Sequence, residues 1–243
     1  MLAPLRDLRK ISLALTPQQV AEQLGHVEDL CFIDSSGNLP KNYHRTISLV
    51  AAQADRILTG NIAEASELKK VLAQAEGSAS ALPHGGALGW IDYDGAFTFG
   101  IYSSLLVFDH ATQQWWSNGN LEEQLQPAEA QAAPTLSPFL SNFSEEVYLS
   151  KVEKIQEYIA AGDIYQVNLT QRFEAEISGS HLFPLYKALR ASSPAPMAGY
   201  MRLNGREILS SSPETFLKID GHTVETRPIK GTRPRYALSL IHI

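Results

Sequence analysis

Residues 199–227 read GYMRLNGREILSSSPETFLKIDGHTVETR, and no other part of the chain says more about its fold. Two strand-like runs each contain a turn pair, Asn204-Gly205 in the first and Asp220-Gly221 in the second. Asn-Gly and Asp-Gly pairs adopt positive φ at low cost, as tight hairpin turns require. The stretch therefore predicts two consecutive antiparallel hairpins, at residues 199–211 and 214–227.

The rest of the chain mixes short apolar runs with segments of helical period. Ser144 and Gly162 fit the N-cap and C-cap of one helix. The glycine-rich residues 85–90 precede no convincing helix and predict close backbone packing or a β-bulge rather than a phosphate-binding loop. Further strands are predicted at residues 30–33, 46–51, 98–109, 114–117 and 164–177, and further helices at 63–75 and 182–190.

Hairpins with intervening helices predict an α+β fold with largely antiparallel sheets. Residues 120–138 are rich in Ala, Gln, Glu and Pro and have no apolar period, so they are interpreted as a linker. The sequence thus predicts two regions, one on each side of this segment.

Composition excludes several classes of function. The net charge of −6 argues against nucleic-acid binding, which needs a basic face. No stretch predicts a membrane span or a targeting segment, and the single Cys31 fits a reducing cytoplasm. The seven histidines have no metal-ligand spacing, which argues against a transition-metal site.

Lys230 is the leading candidate for a reactive group. It lies in Arg227-Pro228-Ile229-Lys230-Gly231-Thr232, between a proline that restricts the backbone and a glycine that frees it. A nucleophilic lysine must be held in place and must be neutral part of the time. Taken alone, a lysine beside glycine is usually just exposed, and Pro213-Glu214 is usually a surface turn with a solvated carboxylate.

Four segments taken together are more specific than any one of them. In this order and spacing they resemble the chorismate-utilising enzymes, the anthranilate synthase component I-like family. The resemblance implies antiparallel sheets packed face to face with helices outside, and covers about the first half of a family member. It implies an N-terminal region at 1–134, the first part of a chorismate-binding domain at 144–235, and an aberrant or truncated apolar tail at 236–243. The four segments are residues 162–169, 192–197, 210–214 and 227–232.

The resemblance also implies roles for single residues. Lys230 matches the nucleophile of the aminodeoxychorismate synthase group, where anthranilate and isochorismate synthases have alanine, and Glu214 matches the proton donor. Gln166 replaces a lysine that activates water in the hydroxylating relatives, so a hydroxylating reaction loses its base. Gln166, Gly231 and Thr232 would contact the substrate. An anthranilate synthase relative and a non-catalytic module that binds tryptophan or a glutaminase remain as alternatives.

The resemblance implies ligands and partners as well. Chorismate would be the substrate, and a glutamine amidotransferase subunit would supply ammonia. A Mg²⁺ ion would bind the substrate carboxylate through glutamates that this chain does not contain. A tryptophan molecule would bind between the sheets, at Ser36, Tyr43, His44, Arg45, Thr46, Pro196, Met197 and Ala198.

Overall fold

The computed structural model describes residues 7–35, 46–74, 82–128, 133–179 and 181–228. The chain divides by its contacts into two compact units, residues 1–130 with 185–243 and residues 131–184. In chain order the elements are β1 (Arg9–Ile11), α1 (Pro17–Gln23), β2 (Cys31–Asp34), β3 (Ile47–Ala51), β4 (Arg56–Asn61), α2 (Ser66–Gln74), β5 (Gly86–Ile91), β6 (Ala96–Tyr102), β7 (Leu106–Asp109), β8 (Gln114–Ser117), β9 (Thr135–Leu136), β10 (Leu140–Ser141), α3 (Glu145–Ala161), β11 (Phe173–Glu174), β12 (Ile177–Ser178), α4 (Phe183–Ser192), β13 (Met197–Leu203), β14 (Arg206–Ser212), β15 (Thr215–Asp220) and β16 (Thr223–Arg227).

The first unit contains two antiparallel sheets that pack face to face. One has seven strands in the order β1-β8-β7-β3-β2-β13-β14, and the other has three in the order β4-β6-β5. Helix α2 packs on the three-stranded sheet through Leu68 and Val71. The α+β fold with largely antiparallel sheets is therefore confirmed. The two sheets share a core formed by Cys31, Leu49, Ala51, Leu82, Tyr102, Leu105 and Val107.

The β13–β14 hairpin confirms the prediction from Asn204-Gly205, since these residues have φ of 52° and 73°. In the second hairpin Asp220 pairs with Thr223, so the turn is Gly221-His222, one residue later than predicted. Gly221 supplies the positive φ of 55°. Because β13 also pairs with β2, strands from both predicted regions share one sheet. The boundary between residues 1–134 and 144–235 itself stays a prediction.

The prediction of one strand at residues 98–109 is wrong. β6 ends at Tyr102 in the three-stranded sheet, and β7 begins at Leu106 in the seven-stranded sheet. Side chains hold the backbone of the break: the Asp55 carboxylate accepts from the Ser103 N–H at 2.7 Å, and Asn118 Oδ1 accepts from the Leu105 N–H at 2.7 Å. These contacts replace the ladder hydrogen bonds that a continuous strand would make.

The second unit consists of α3 and two small two-stranded sheets, β10-β11 and β12-β9. Ser144 caps α3 by accepting from the Val147 N–H, and Gly162 ends it with φ of 82°, as predicted. The long strand predicted at residues 164–177 is wrong, because only β11 and β12 form there, with two residues each. A strand needs neighbours for its N–H and C=O groups, and this unit supplies β9 and β10 alone among the described residues.

Several apolar residues of α3 are not buried. Val147, Tyr158 and Ile159 each keep more than two fifths of their surface exposed. The β15–β16 hairpin shows the same feature, since Phe216, Leu217, Ile219 and Val224 are exposed. Within the described ranges, no helix is long and apolar enough to cross a membrane.

Candidate functional site

Glu214 lies at the open end of the β15–β16 hairpin. It directly precedes β15, is half-buried, and its carbonyl accepts from Ser212 Oγ at 3.3 Å. Thr215 is the register partner of Arg227, so antiparallel pairing places Glu214 opposite Pro228. The structure therefore brings the predicted proton donor to the start of the segment that carries the predicted nucleophile.

The other predicted substrate residues are not all described. Lys230, Gly231 and Thr232 lie outside the described residues, directly after Pro228 and Ile229 in sequence. Gln166 is exposed and lies in the irregular part of the second unit, residues 164–172. The roles of these residues and of Glu214 stay predictions.

The described members of the predicted tryptophan pocket lie at neighbouring strand ends. β2 is paired with β3 on one side and with β13 on the other, and Asp34 is the partner of Ala198. Continuing both ladders by one or two residues brings Thr46, Ser35 and Met197 to the same end of the sheet. Pro196 immediately precedes β13. Ser36, Tyr43, His44 and Arg45 lie outside the described residues.

A polar cluster that was not predicted from the sequence surrounds Asp34, the last residue of β2 and the neighbour of Ser35. Arg190 of α4 donates from Nε to Asp34 Oδ2. Ser48 Oγ donates to Asp34 Oδ1 at 3.3 Å and contacts His110 Nε2 at 2.8 Å. Tyr186 donates a longer bond, 3.5 Å, to Asp34 Oδ2. We call these five residues the strand-end cluster.

One signal in the sequence could have pointed to the cluster. Asp34 ends the otherwise apolar run Cys31-Phe32-Ile33, and an acidic residue that is buried needs a partner. The identity of that partner was not visible, because Arg190 is 156 residues away. Next to the cluster, Ser35 Oγ is buried and has no hydrogen-bond partner among the residues that the structure describes.

Burial lowers the pKa of the His110 imidazole, against the opposing effect of Asp34 and Asp109, while Arg190 lowers it further. The unfolded state therefore binds a proton at higher pH than the folded state does, and stability falls as pH drops below the unfolded value of about 6.5. We expect thermal melts to show that His110→Gln loses less stability than the parent protein between about pH 7.5 and pH 5.5. An equal loss in both proteins would contradict this.

No group of three or more His, Cys, Asp or Glu side chains in the described part of the chain is arranged to hold a metal ion. The predicted Mg²⁺ was assigned to glutamates outside this chain, so its binding stays a prediction. The described residues thus offer two polar features in the first unit, the Glu214 carboxylate at the end of a hairpin and the strand-end cluster around Asp34.

Residues 31–238 match the model of the chorismate binding enzyme family, and the chain belongs to this family. It is 35% identical over 179 residues to aminodeoxychorismate synthase component 1 of Klebsiella aerogenes, covering 63% of this chain and 40% of that relative. It is 41% identical over 121 residues to anthranilate synthase component 1 of Thermus thermophilus, covering 50% of this chain and 26% of that relative. The Bacillus subtilis anthranilate synthase component 1 is 42% identical over 133 residues, 54% of this chain and 25% of the relative.

The chain thus spans between 25% and 40% of the length of these relatives. Proteins with both names match it at similar levels, so overall identity does not separate the two reactions. The separation depends on individual residues of the site.

Proposed function

We propose that this chain carries the nucleophile and the proton donor of an aminodeoxychorismate synthase. The observation that supports it is the pairing of Thr215 with Arg227 in the β15–β16 hairpin, since Glu214 directly precedes Thr215 and Pro228 directly follows Arg227. Lys230 follows Pro228 by two residues, and two residues of chain span at most about 7 Å. A proton donor and a nucleophile within one small region suit a reaction in which one bond forms while another breaks.

The proposed reaction has two steps. The neutral Lys230 amine attacks C2 of the chorismate ring, both ring double bonds shift by one position, and the C4 hydroxyl leaves as water with a proton from Glu214. Hydroxide is a poor leaving group, so this proton is required. Ammonia then attacks C4, both double bonds shift back, and the lysine amine leaves from C2 with a proton that the new C4 amine gives up. The sum is chorismate plus ammonia giving 4-amino-4-deoxychorismate plus water.

The supporting groups are part of the same proposal. A glutaminase subunit would deliver the ammonia, and Mg²⁺ would neutralise the substrate carboxylate, held by residues outside this chain. Gln166, Gly231 and Thr232 would bind the substrate. Gln166 cannot deprotonate water at neutral pH, which favours attack by an amine over attack by water.

The test is to trap the lysine adduct. Residues 1–235 would be joined to the remainder of the Klebsiella aerogenes relative, and this chimera would be incubated with chorismate and Mg²⁺ without ammonia. Mass spectrometry of the digested protein should show Lys230 carrying chorismate less one water. Lys230→Ala should lose the adduct while keeping the melting temperature. A folded chimera that turns over chorismate without modifying Lys230 would contradict the proposal.

A second candidate, a tryptophan-binding module, is favoured by a different observation. Thr46, Ser35 and Met197 come together at one end of three neighbouring strands, and Ser35 Oγ is buried there without a described partner. A hydroxyl in this position can bond to the polar part of an amino acid. Calorimetric titration of the chain with L-tryptophan tests the pocket.

A further inference from the structure

An ion pair joins the two chain segments that border the proposed tryptophan pocket. Asp34 ends β2 and immediately precedes Ser35, while Arg190 lies near the end of α4, a few residues before Pro196. Arg190 Nε donates to Asp34 Oδ2. The Asp34 side chain is fully buried and that of Arg190 is 25% exposed. The ion pair therefore connects the segment that begins at Ser35 with the segment that leads from α4 to Pro196.

The Asp34 carboxylate is held from two directions. Ser48 Oγ, on the neighbouring strand β3, donates to Oδ1 at 3.3 Å. Tyr186, one helical turn before Arg190, reaches Oδ2 at 3.5 Å. The Tyr186 ring in turn packs edge-on against Phe32, with 6.0 Å between the ring centroids. A carboxylate with donors from a strand and from a helix fixes the distance between those two elements.

The backbone continues this constraint to the border of the pocket. Asp34 is the β-ladder partner of Ala198, the last residue of the Pro196-Met197-Ala198 segment. α4 ends at Ser192, and residues 193–196 lead from it back to β13. At the helix end of this short connection, Arg190 is bonded to the Asp34 side chain. At its strand end, Ala198 pairs with the Asp34 backbone. Asp34 therefore holds both ends of the connection.

We propose that the Asp34–Arg190 ion pair positions the Pro196–Ala198 segment and so sets the affinity of the pocket for an amino acid. The inference rests on the proposed tryptophan pocket. Neither residue has to touch the ligand, so both are positioning residues. A buried ion pair often adds no more stability than an apolar pair of the same size, and fixing a geometry is a role that apolar packing performs less specifically.

The test uses two variants of the whole chain and calorimetric titration with L-tryptophan well below the melting temperature. Asp34→Asn keeps the shape of the side chain and removes its charge. Arg190→Lys keeps the charge and removes the rigid guanidinium geometry. We expect the dissociation constant for L-tryptophan to rise about tenfold or more in both folded variants. A tenfold rise corresponds to a loss of about 1.4 kcal/mol of binding free energy.

Glu22→Gln is the matched control. Glu22 of α1 pairs with Lys187, which lies on α4 only three residues before Arg190, so the control also removes an ion pair from this helix. It should leave the affinity for tryptophan unchanged. An equal loss of affinity in Glu22→Gln would overturn the inference, because any tether of α4 would then have the same effect.

Two further outcomes separate this inference from the pocket itself. If the parent chain does not bind tryptophan, the pocket fails and the inference fails with it. If the parent binds and Arg190→Lys binds equally well while melting at a lower temperature, the pair has a structural role alone and only the inference is overturned. Should Asp34→Asn not fold, Arg190→Lys still decides the question, because it leaves no buried charge without a cationic partner.

Discussion

Replacing Glu214 with glutamine is expected to slow the amination of chorismate by about 10²–10⁴-fold in the chimera described above. Glutamine has nearly the shape of glutamate but no acidic proton for the departing C4 hydroxyl. Glu214 is half-buried at the open end of the β15–β16 hairpin, where it lies opposite Pro228. The Lys230 adduct should form more slowly by the same factor, because lysine attack and hydroxide departure belong to one step.

The control for this prediction is Asp220→Asn, at the turn of the same hairpin. It also converts a carboxylate to an amide, but at the end of the hairpin away from Glu214, and should leave the rate unchanged. The measurement is the initial rate with ammonium and saturating chorismate, with the melting temperature recorded for each variant. A Glu214→Gln protein as active as the parent would assign proton donation to another group.

The two hairpins were predictable because their information is local. Asn204-Gly205 forms its turn as predicted, and the Gly221 of Asp220-Gly221 supplies the positive φ of the second turn, which lies one residue later than predicted. The caps of α3 were predictable for the same reason, since Ser144 and Gly162 act on neighbouring backbone groups. The two hairpins flank Glu214 on either side in sequence. The location of this predicted site residue therefore also followed from local signals.

Elements that depend on distant partners were predicted less well. Residues 164–177 have the composition of a strand, but composition does not say which strands lie alongside, and Tyr165 is 83% exposed. The break between β6 and β7 depends on Asp55 and Asn118, which bind it from other parts of the chain. The Asp34–Arg190 pair likewise joins residues far apart in sequence. No pattern within a short window contains such pairings.

Gly89→Ala is expected to be the most destabilising small substitution in the three-stranded sheet. Gly89 lies in β5 opposite Phe99 of β6. A Cβ atom built on Gly89 would lie 1.9 Å from the Thr98 carbonyl oxygen and 2.8 Å from the Phe99 Cα. Both are backbone atoms, so no side chain can rotate away, and the two strands would have to separate. We expect a loss of about 3 kcal/mol in the free energy of unfolding.

Gly199→Ala is the matched control, since Gly199 is also a glycine within a strand, β13. A Cβ atom there would lie 3.5 Å from the Phe32 carbonyl oxygen, an ordinary contact. Its free energy of unfolding should change by less than about 1 kcal/mol, towards higher stability, because glycine loses more backbone entropy on folding than alanine does. Urea titrations of the three proteins measure both values. Equal effects of the two substitutions would mean that β5 and β6 are not held this close, and the glycine-rich residues 85–90 would then need another explanation than close backbone packing.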